Sequence, residues 1–290
     1  MESNSGTRGG GAPRNSLPRG GGGACRPRRD REHAVRGLLL AAIAACTIAC
    51  VDAPTEHRVR ANAFLRGGDA ASALKEADLG LERKPTDVPL LILRGKALFE
   101  LGQLDDARAA YERALAAGKD HEPRSLAEAH LGLGMTASRQ KDWAFARKSF
   151  EALVSINDRD ASSHLNVARS CLELGDHACA VTHGEKAGHL RGDDEAVLYT
   201  LGTIYLTAGK TDEAELTFKH ICEVAPAAAS CPYGVALAAA KRGDKEKALA
   251  KLSEAVDRKL PNPDSIAREP GFATIKDDPR FAEIVARASK

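Results

Sequence analysis

Seven cysteines and nine histidines carry most of the chemistry open to this 290-residue chain. Four of the cysteines form two close pairs, Cys171 with Cys179 and Cys222 with Cys231, eight and nine residues apart. In an oxidising compartment such spacing predicts two local disulfides, Cys171–Cys179 and Cys222–Cys231. Each would bridge adjacent helices whose Cα atoms come within about 7 Å. In a reducing compartment the same four read as buried thiols acting as small hydrophobes. His164, His177, His183 and His189 surround the first pair in sequence. Cys179 and His183, four residues apart, share a helix face as two metal ligands would. The other histidines lack ligand spacing and read as scattered over different faces, so no metal site is assigned. The sequence has no phosphate-binding glycine loop, no HExxH, no GxSxG and no CxxCH. Asp105, Asp106, Asp193 and Asp194 fall in expected turns, where aspartate caps helices. No catalytic residue, cofactor or small-molecule substrate is therefore expected.

Composition narrows the elements that must hold these residues. Aromatics make up only 4% of the chain, against 43% hydrophobic residues overall, which argues against a β-sandwich or barrel. Charge is uneven. Residues 1–50 hold eight Arg, no Lys and three acids, which leaves 34 basic and 37 acidic residues in the other 240. A mildly acidic body is a poor nucleic-acid binder.

Residues 1–36 are rich in Gly and Arg and too poor in apolar residues to offset the entropy of ordering. A 15-residue uncharged run, Gly37 to Val51, follows. A membrane span needs about 20 residues, so the run fits a secretory signal better. Its end, over 37–50, resembles the lipobox of bacterial lipoproteins, in Ile43-Ala44-Ala45-Cys46 or Thr47-Ile48-Ala49-Cys50. The resemblance implies a diacylated Cys50 (or Cys46), a lipid anchor in a membrane of the cell envelope, and outer-membrane sorting, since Val51 rather than Asp follows Cys50. A start near Val35 would leave a compact signal with a single Arg. A signal anchor, or a cytoplasmic protein with a misread leader, is the alternative.

The body repeats. Glycines at 68, 102, 175, 209 and 243 and alanines at 73, 107, 146, 180, 214 and 248 recur at steps of 34, with one five-residue insertion and Lys141 in place of a glycine. Small residues upstream keep the same register: Ala61, Gly95, Gly134, Ala168, Gly202 and Ala236. The fifth unit shows the fullest pattern, with Leu198, Leu201-Gly202, Tyr205, Gly209, Ala214, Phe218 and Pro226. This resembles the tetratricopeptide repeat, a helix–turn–helix unit of 34 residues. The resemblance implies an all-α, right-handed solenoid of six units over 54–262 (54–87, 88–121, 127–160, 161–194, 195–228 and 229–262). No repeat is read in 263–290, where Ile266, Phe272, Ile275, Phe281 and Ile284 suit closing helices that cap the array.

In this family the first helix of each unit lines a concave groove. Carried onto this chain, the apolar groove positions are Leu65, Ile92, Phe99, Leu131, Met135, Leu165, Leu172, Tyr199, Leu206, Tyr233 and Leu237. Arg58, Asn62, Arg66, Lys96, Arg139 and Arg169 form a mostly basic border, with Glu100 and Glu173 among them. Some of the leucines are alternatively expected inside the superhelix. The resemblance implies protein or peptide partners and a scaffold, with pilus or secretin assembly among the envelope settings; a self-associating array is the alternative. One subclass grips a C-terminal carboxylate, and Arg58 and Asn62 match its opening pair. Lys96 and Leu131 stand where its next Asn and Lys should be, so that clamp is not expected.

Overall fold

The computed structural model describes residues 53–118, 123–260 and 263–288. The Arg/Gly leader, the apolar run and its Cys46 and Cys50 lie outside these residues. All regular structure among the described residues is helical, as six antiparallel pairs and a terminal segment. The pairs are α1 (Ala53–Arg66) with α2 (Ala70–Arg83), α3 (Val88–Glu100) with α4 (Leu104–Ala117), and α5 (Pro123–Arg139) with α6 (Trp143–Ile156). They continue with α7 (Ala161–Glu173) and α8 (His177–Leu190), α9 (Glu195–Thr207) and α10 (Thr211–Val224), then α11 (Ser230–Arg242) and α12 (Lys245–Asp257). Two 3₁₀ turns, Pro263–Arg268 and Pro270–Phe272, and α13 (Pro279–Ala288) close the chain. No helix among the described residues is long and apolar enough to cross a membrane.

Local chemistry sets where helices start and stop. Asp69, Asp87, Asp142, Asp160, Asp176, Asp194 and Asp244 each accept a backbone N–H from the first turn of the helix that follows. Each cap satisfies a donor that has no partner within its helix. Within the pairs the first helix ends in a left-handed residue: Gly68, Gly102, Gly175, Gly209 and Gly243 have φ of 74 to 85°. Lys141 takes the same conformation with φ 60°, as its place in the repeat requires.

Packing explains the small residues. Phe218, fully buried, lies between Gly202 and Gly234; a Cβ on either would come within 2.5 Å of its ring. Tyr111 sits in the same way against Gly95 and Gly132, and Phe150 against Gly134. The aromatic of a second helix thus fills a notch in the first helix of its own unit and, at Tyr111 and Phe218, in that of the next. Each unit depends on its neighbour to bury this side chain.

An ion cluster around one buried carboxylate joins the fifth and sixth units. Glu215 on α10 accepts from Lys219 (2.8 Å), from Arg242 on α11 (2.5 Å) and from Lys247 on α12 (2.7 Å). Burial alone would raise its carboxyl, but these three cations hold it down to about 2. The sequence gives no sign of this cluster, because its members are 4 to 32 residues apart and the charges look like ordinary surface.

The terminal segment keeps the 34-residue register in its contacts. Thr274 donates to the carbonyl of Ala240, Arg280 to Glu246 and Arg287 to Ser253, each across 34 residues. Two 3₁₀ turns stand where a seventh first helix would stack, and α13 where its second would. Phe272 packs edge-on to Tyr233, with ring centroids 5.5 Å apart.

Candidate peptide-binding groove

First helices of successive units touch one another at α1–α3, α3–α5, α7–α9 and α9–α11. They therefore occupy the inner side of the stack. Between α5 and α7 the approach is looser. A pocket of about 320 Å³ opens in that gap, lined by Phe99, Met135, Arg139, Trp143, Phe150, Asn166 and Arg169. A second hollow of about 470 Å³ lies toward the N-terminal end, among Arg58, Asn62, Arg66, Ile92, Lys96 and Glu128. A third, of about 890 Å³, reaches Tyr199 and Tyr233 beside Arg258, Lys259 and Glu269.

The structure sorts the residues the sequence assigned to this face. Leu131 and Met135 on α5 are exposed by 37% and 44%, and they stand one helical turn apart beside the gap. Leu65, Leu165, Leu172, Tyr199 and Leu206 are half-buried, and Asn62, Arg66, Arg139 and Arg169 are exposed. Ile92, Phe99, Tyr233 and Leu237 are buried, although Ile92, Phe99 and Tyr233 still form part of the hollows' walls. Arg139 stacks over the Phe99 ring at 3.9 Å and donates to the Phe99 carbonyl at 3.0 Å. Tyr233 and Leu237 lie beneath the 3₁₀ turns, where Gly271 packs on Leu237. A family offset says which way a side chain points, not what else comes to cover it.

Polar groups on the border differ in what they hold. Lys96 is paired with Glu128 at 2.8 Å, and Arg58 donates to Thr55 at 2.6 Å. Tyr199 is pushed up to about 12 by burial and by the Glu269 carboxylate.

Cys171 on α7 and Cys179 on α8 have Cα atoms 5.9 Å apart and face each other as a disulfide. Cys222 on α10 and Cys231 on α11 do so at 5.4 Å. The first pair ties the helices of one unit, and the second ties two units together. With Asp176 the first pair also forms a cluster of three residues of ligand type, but Asp176 is spent on the Cys179 N–H and on Arg147.

The histidines depart from the expected scatter. His164 and His183 meet nitrogen to nitrogen, Nδ1 to Nδ1 at 2.9 Å, although they lie 19 residues apart on different helices. The ring centroids are 5.2 Å apart, so the two nitrogens point nearly straight at each other. His164 Nε2 lies 3.0 Å from the carbonyl of Asp158 and must donate to it. His164 Nδ1 is then the acceptor and His183 Nδ1 the donor. The His183 proton affinity is lowered by burial first and by His164 second, against an opposing pull from Glu151, with a lesser lowering by Arg147. This is a lock between α7 and α8 with no linear motif behind it.

Comparison with known proteins now has a geometry to meet. Residues 89–159 and residues 199–263 each match a family model described as tetratricopeptide repeat. The chain contains tetratricopeptide repeats. The first match spans α3 to α6, and the second spans α9 to α12. Among solved structures, the C-terminal part of a repeat-containing protein from Cytophaga hutchinsonii superposes with a TM-score of 0.61 at 16% identity, covering 80% of this chain and 93% of that one. PilW, described as a widely conserved type IV pilus biogenesis factor, superposes with a TM-score of 0.58 at 14% identity, covering 76% and 97%. YrrB, described as a TPR protein with an unusual peptide-binding site, gives 0.52 at 22% identity, covering 63% and 92%. Identities this low speak for the repeat fold alone. No curated protein matches the sequence.

Proposed function

We propose that this chain is a non-enzymatic scaffold, lipid-anchored in the cell envelope through Cys50 (or Cys46), that holds peptide segments of partner proteins in the groove along its first helices. The exposed pair Leu131 and Met135 beside the gap between α5 and α7 carries the reading. Large apolar side chains left open on the inner side of a repeat array cost solvation unless a partner covers them. The two cysteine pairs suit an exported protein, in which both would be oxidised. PilW shares the fold, and pilus or secretin assembly is one envelope setting for such an array.

Two measurements test this. A photo-crosslinking residue at Met135, in the cells that make the protein, should give a discrete adduct. The same residue at Lys186, exposed on the second helix α8, should not. Leu131→Asp should abolish the Met135 adduct. Absence of an adduct at Met135, or equal adducts at both sites, overturns the groove reading, and an adduct at twice the chain mass moves it to self-association. Phe99→Ala is a poor probe here, since Phe99 is core. Intact mass of the membrane-derived N-terminal peptide tests the anchor. A diacylglyceryl mass lost in Cys50→Ala or Cys46→Ala is expected, and an unmodified chain in the soluble fraction refutes it.

A further inference from the structure

We infer, resting on the groove reading above, that the gap between α5 and α7 selects the partner: it takes an internal acidic side chain next to a bulky apolar residue of an extended segment. The pocket has a floor of Trp143 and Phe150 and an exposed Met135 at its edge, which suits an aromatic or aliphatic side chain. Its charged lining is two guanidinium groups, Arg139 and Arg169, with no carboxylate. Most arginines elsewhere in the array are neutralised: Arg94 by Asp78, Arg108 by Asp142, Arg147 by Glu151 and Asp176, Arg242 by Glu215. Arg169 and Arg139 pair with no carboxylate among the described residues. The Arg139 guanidinium lies over the Phe99 ring and one of its donors goes to the Phe99 carbonyl. Its remaining N–H groups form a preoriented fork, which loses less side-chain entropy on binding a carboxylate than a free arginine does. Asn166 adds a neutral amide to the same wall.

The position of the pocket decides between a carboxylate inside the segment and one at its end. First helices on both sides carry further groove positions that are not buried, Leu65 and Arg66 on α1 and Leu172, Tyr199 and Leu206 on α7 and α9. A segment lying along the groove passes through the pocket rather than stopping there. The hollow at Tyr199 and Tyr233 carries more carboxylates than cations, Asp194, Glu195 and Glu269 against Arg258 and Lys259, whereas the hollow toward the N-terminal end is basic like the gap. In the hollow at Tyr199 and Tyr233 the donors of Arg258 go to the carbonyls of Pro226 and Ala228 and to Glu254. The demand for an acid therefore belongs to the gap and to the N-terminal side of the groove, and not to the hollow at Tyr199 and Tyr233.

A randomised 12-residue peptide library is the probe, displayed with its C-terminus fused to the carrier so that it presents no free carboxylate. It is selected on the folded full-length protein, on Arg169→Glu, on Arg139→Gln/Arg169→Gln and on Leu131→Asp/Met135→Asp. Thermal melts confirm that each variant folds, and Arg169 is exposed, so its replacement leaves the core intact. The wild-type protein should enrich Asp or Glu adjacent to Phe, Leu, Ile or Met. A soluble peptide from that set should bind the double glutamine variant about tenfold more weakly, a change worth about 1.4 kcal/mol. Arg169→Glu should replace the acidic preference with a basic one. Peptides enriched on the wild type and lost on Leu131→Asp/Met135→Asp, but without acidic excess, would overturn this inference and leave the groove reading standing. Acidic preference that emerges only in a second library with free C-termini would overturn the internal placement. No enrichment at all would overturn both.

Discussion

At the scale of single residues, His164 and His183 show how a polar contact can set a pH limit. The pair holds one proton between its facing nitrogens while His164 gives its other to Asp158. One added proton can sit on His183 Nε2 without breaking this arrangement; a second would set two N–H groups against each other. Groups facing the pair include Arg147 and Glu151 on α6. His183 has a lowered proton affinity in the folded state, and His130 is lowered by burial. A depressed folded value stabilises the fold above the unfolded pKa of about 6.5, and that stability is lost as pH falls below it. The melting temperature should therefore fall as pH drops from 7 to 5. His183→Gln, which keeps a donor, should flatten that slope; an unchanged slope would place the pH dependence elsewhere. No sequence pattern foretold this pair. Helical spacing links residues three or four apart, and these two meet only because α7 and α8 pack.

At the scale of elements, the repeat was legible because it rests on backbone conformation and close approach. A left-handed turn wants glycine and a ring wants a notch, and both leave residue types at fixed positions, as at Gly209 and Gly202. Lys141 is the exception that tests the rule. A lysine with φ 60° carries the steric cost that glycine avoids, about 1 kcal/mol. Lys141→Gly should stabilise the protein by roughly that amount, and Gly209→Ala should destabilise it similarly, read from chemical denaturation. A destabilising Lys141→Gly would mean that the lysine side chain contributes more than its backbone costs. The register of the terminal segment, read from sequence only as a cap, escaped notice for the converse reason. Asp277 stands where the glycine register would fall, and Pro270 where the small residue would. Only side-chain contacts such as Arg280 to Glu246 keep the period. Burial within the groove was not legible, for a related reason. Offsets single out Leu131 and Met135, which are exposed, and Phe99 and Tyr233, which are buried, without anticipating Arg139 lying over Phe99 or the 3₁₀ turns covering Tyr233.

At the scale of the whole array, stability is a chain of neighbour contacts, so damage at one end should stay near that end. The terminal segment supplies Ile266, Phe272, Ile275, Phe281 and Ile284 to the core that holds Tyr233, Leu237, Leu249 and Leu252. Burial of a large apolar side chain contributes about 1.5–3 kcal/mol, so losing five of them exceeds what a single unit can absorb. A chain ending at Leu260 should keep α3 to α8 folded and lose protection in α11 and α12. The Glu215 cluster and the Cys222–Cys231 link would couple part of that loss back into α10. Hydrogen exchange read by mass spectrometry resolves the gradient: amides in α11 and α12 should exchange at least about tenfold faster, those in α3 to α6 at unchanged rates. Uniform acceleration along the array would show one cooperative unit instead. That difference matters for function, because the gap between α5 and α7 lies three helices from α11. If the ends fray independently, the central pocket keeps its shape while the terminal units open and close around a bound segment.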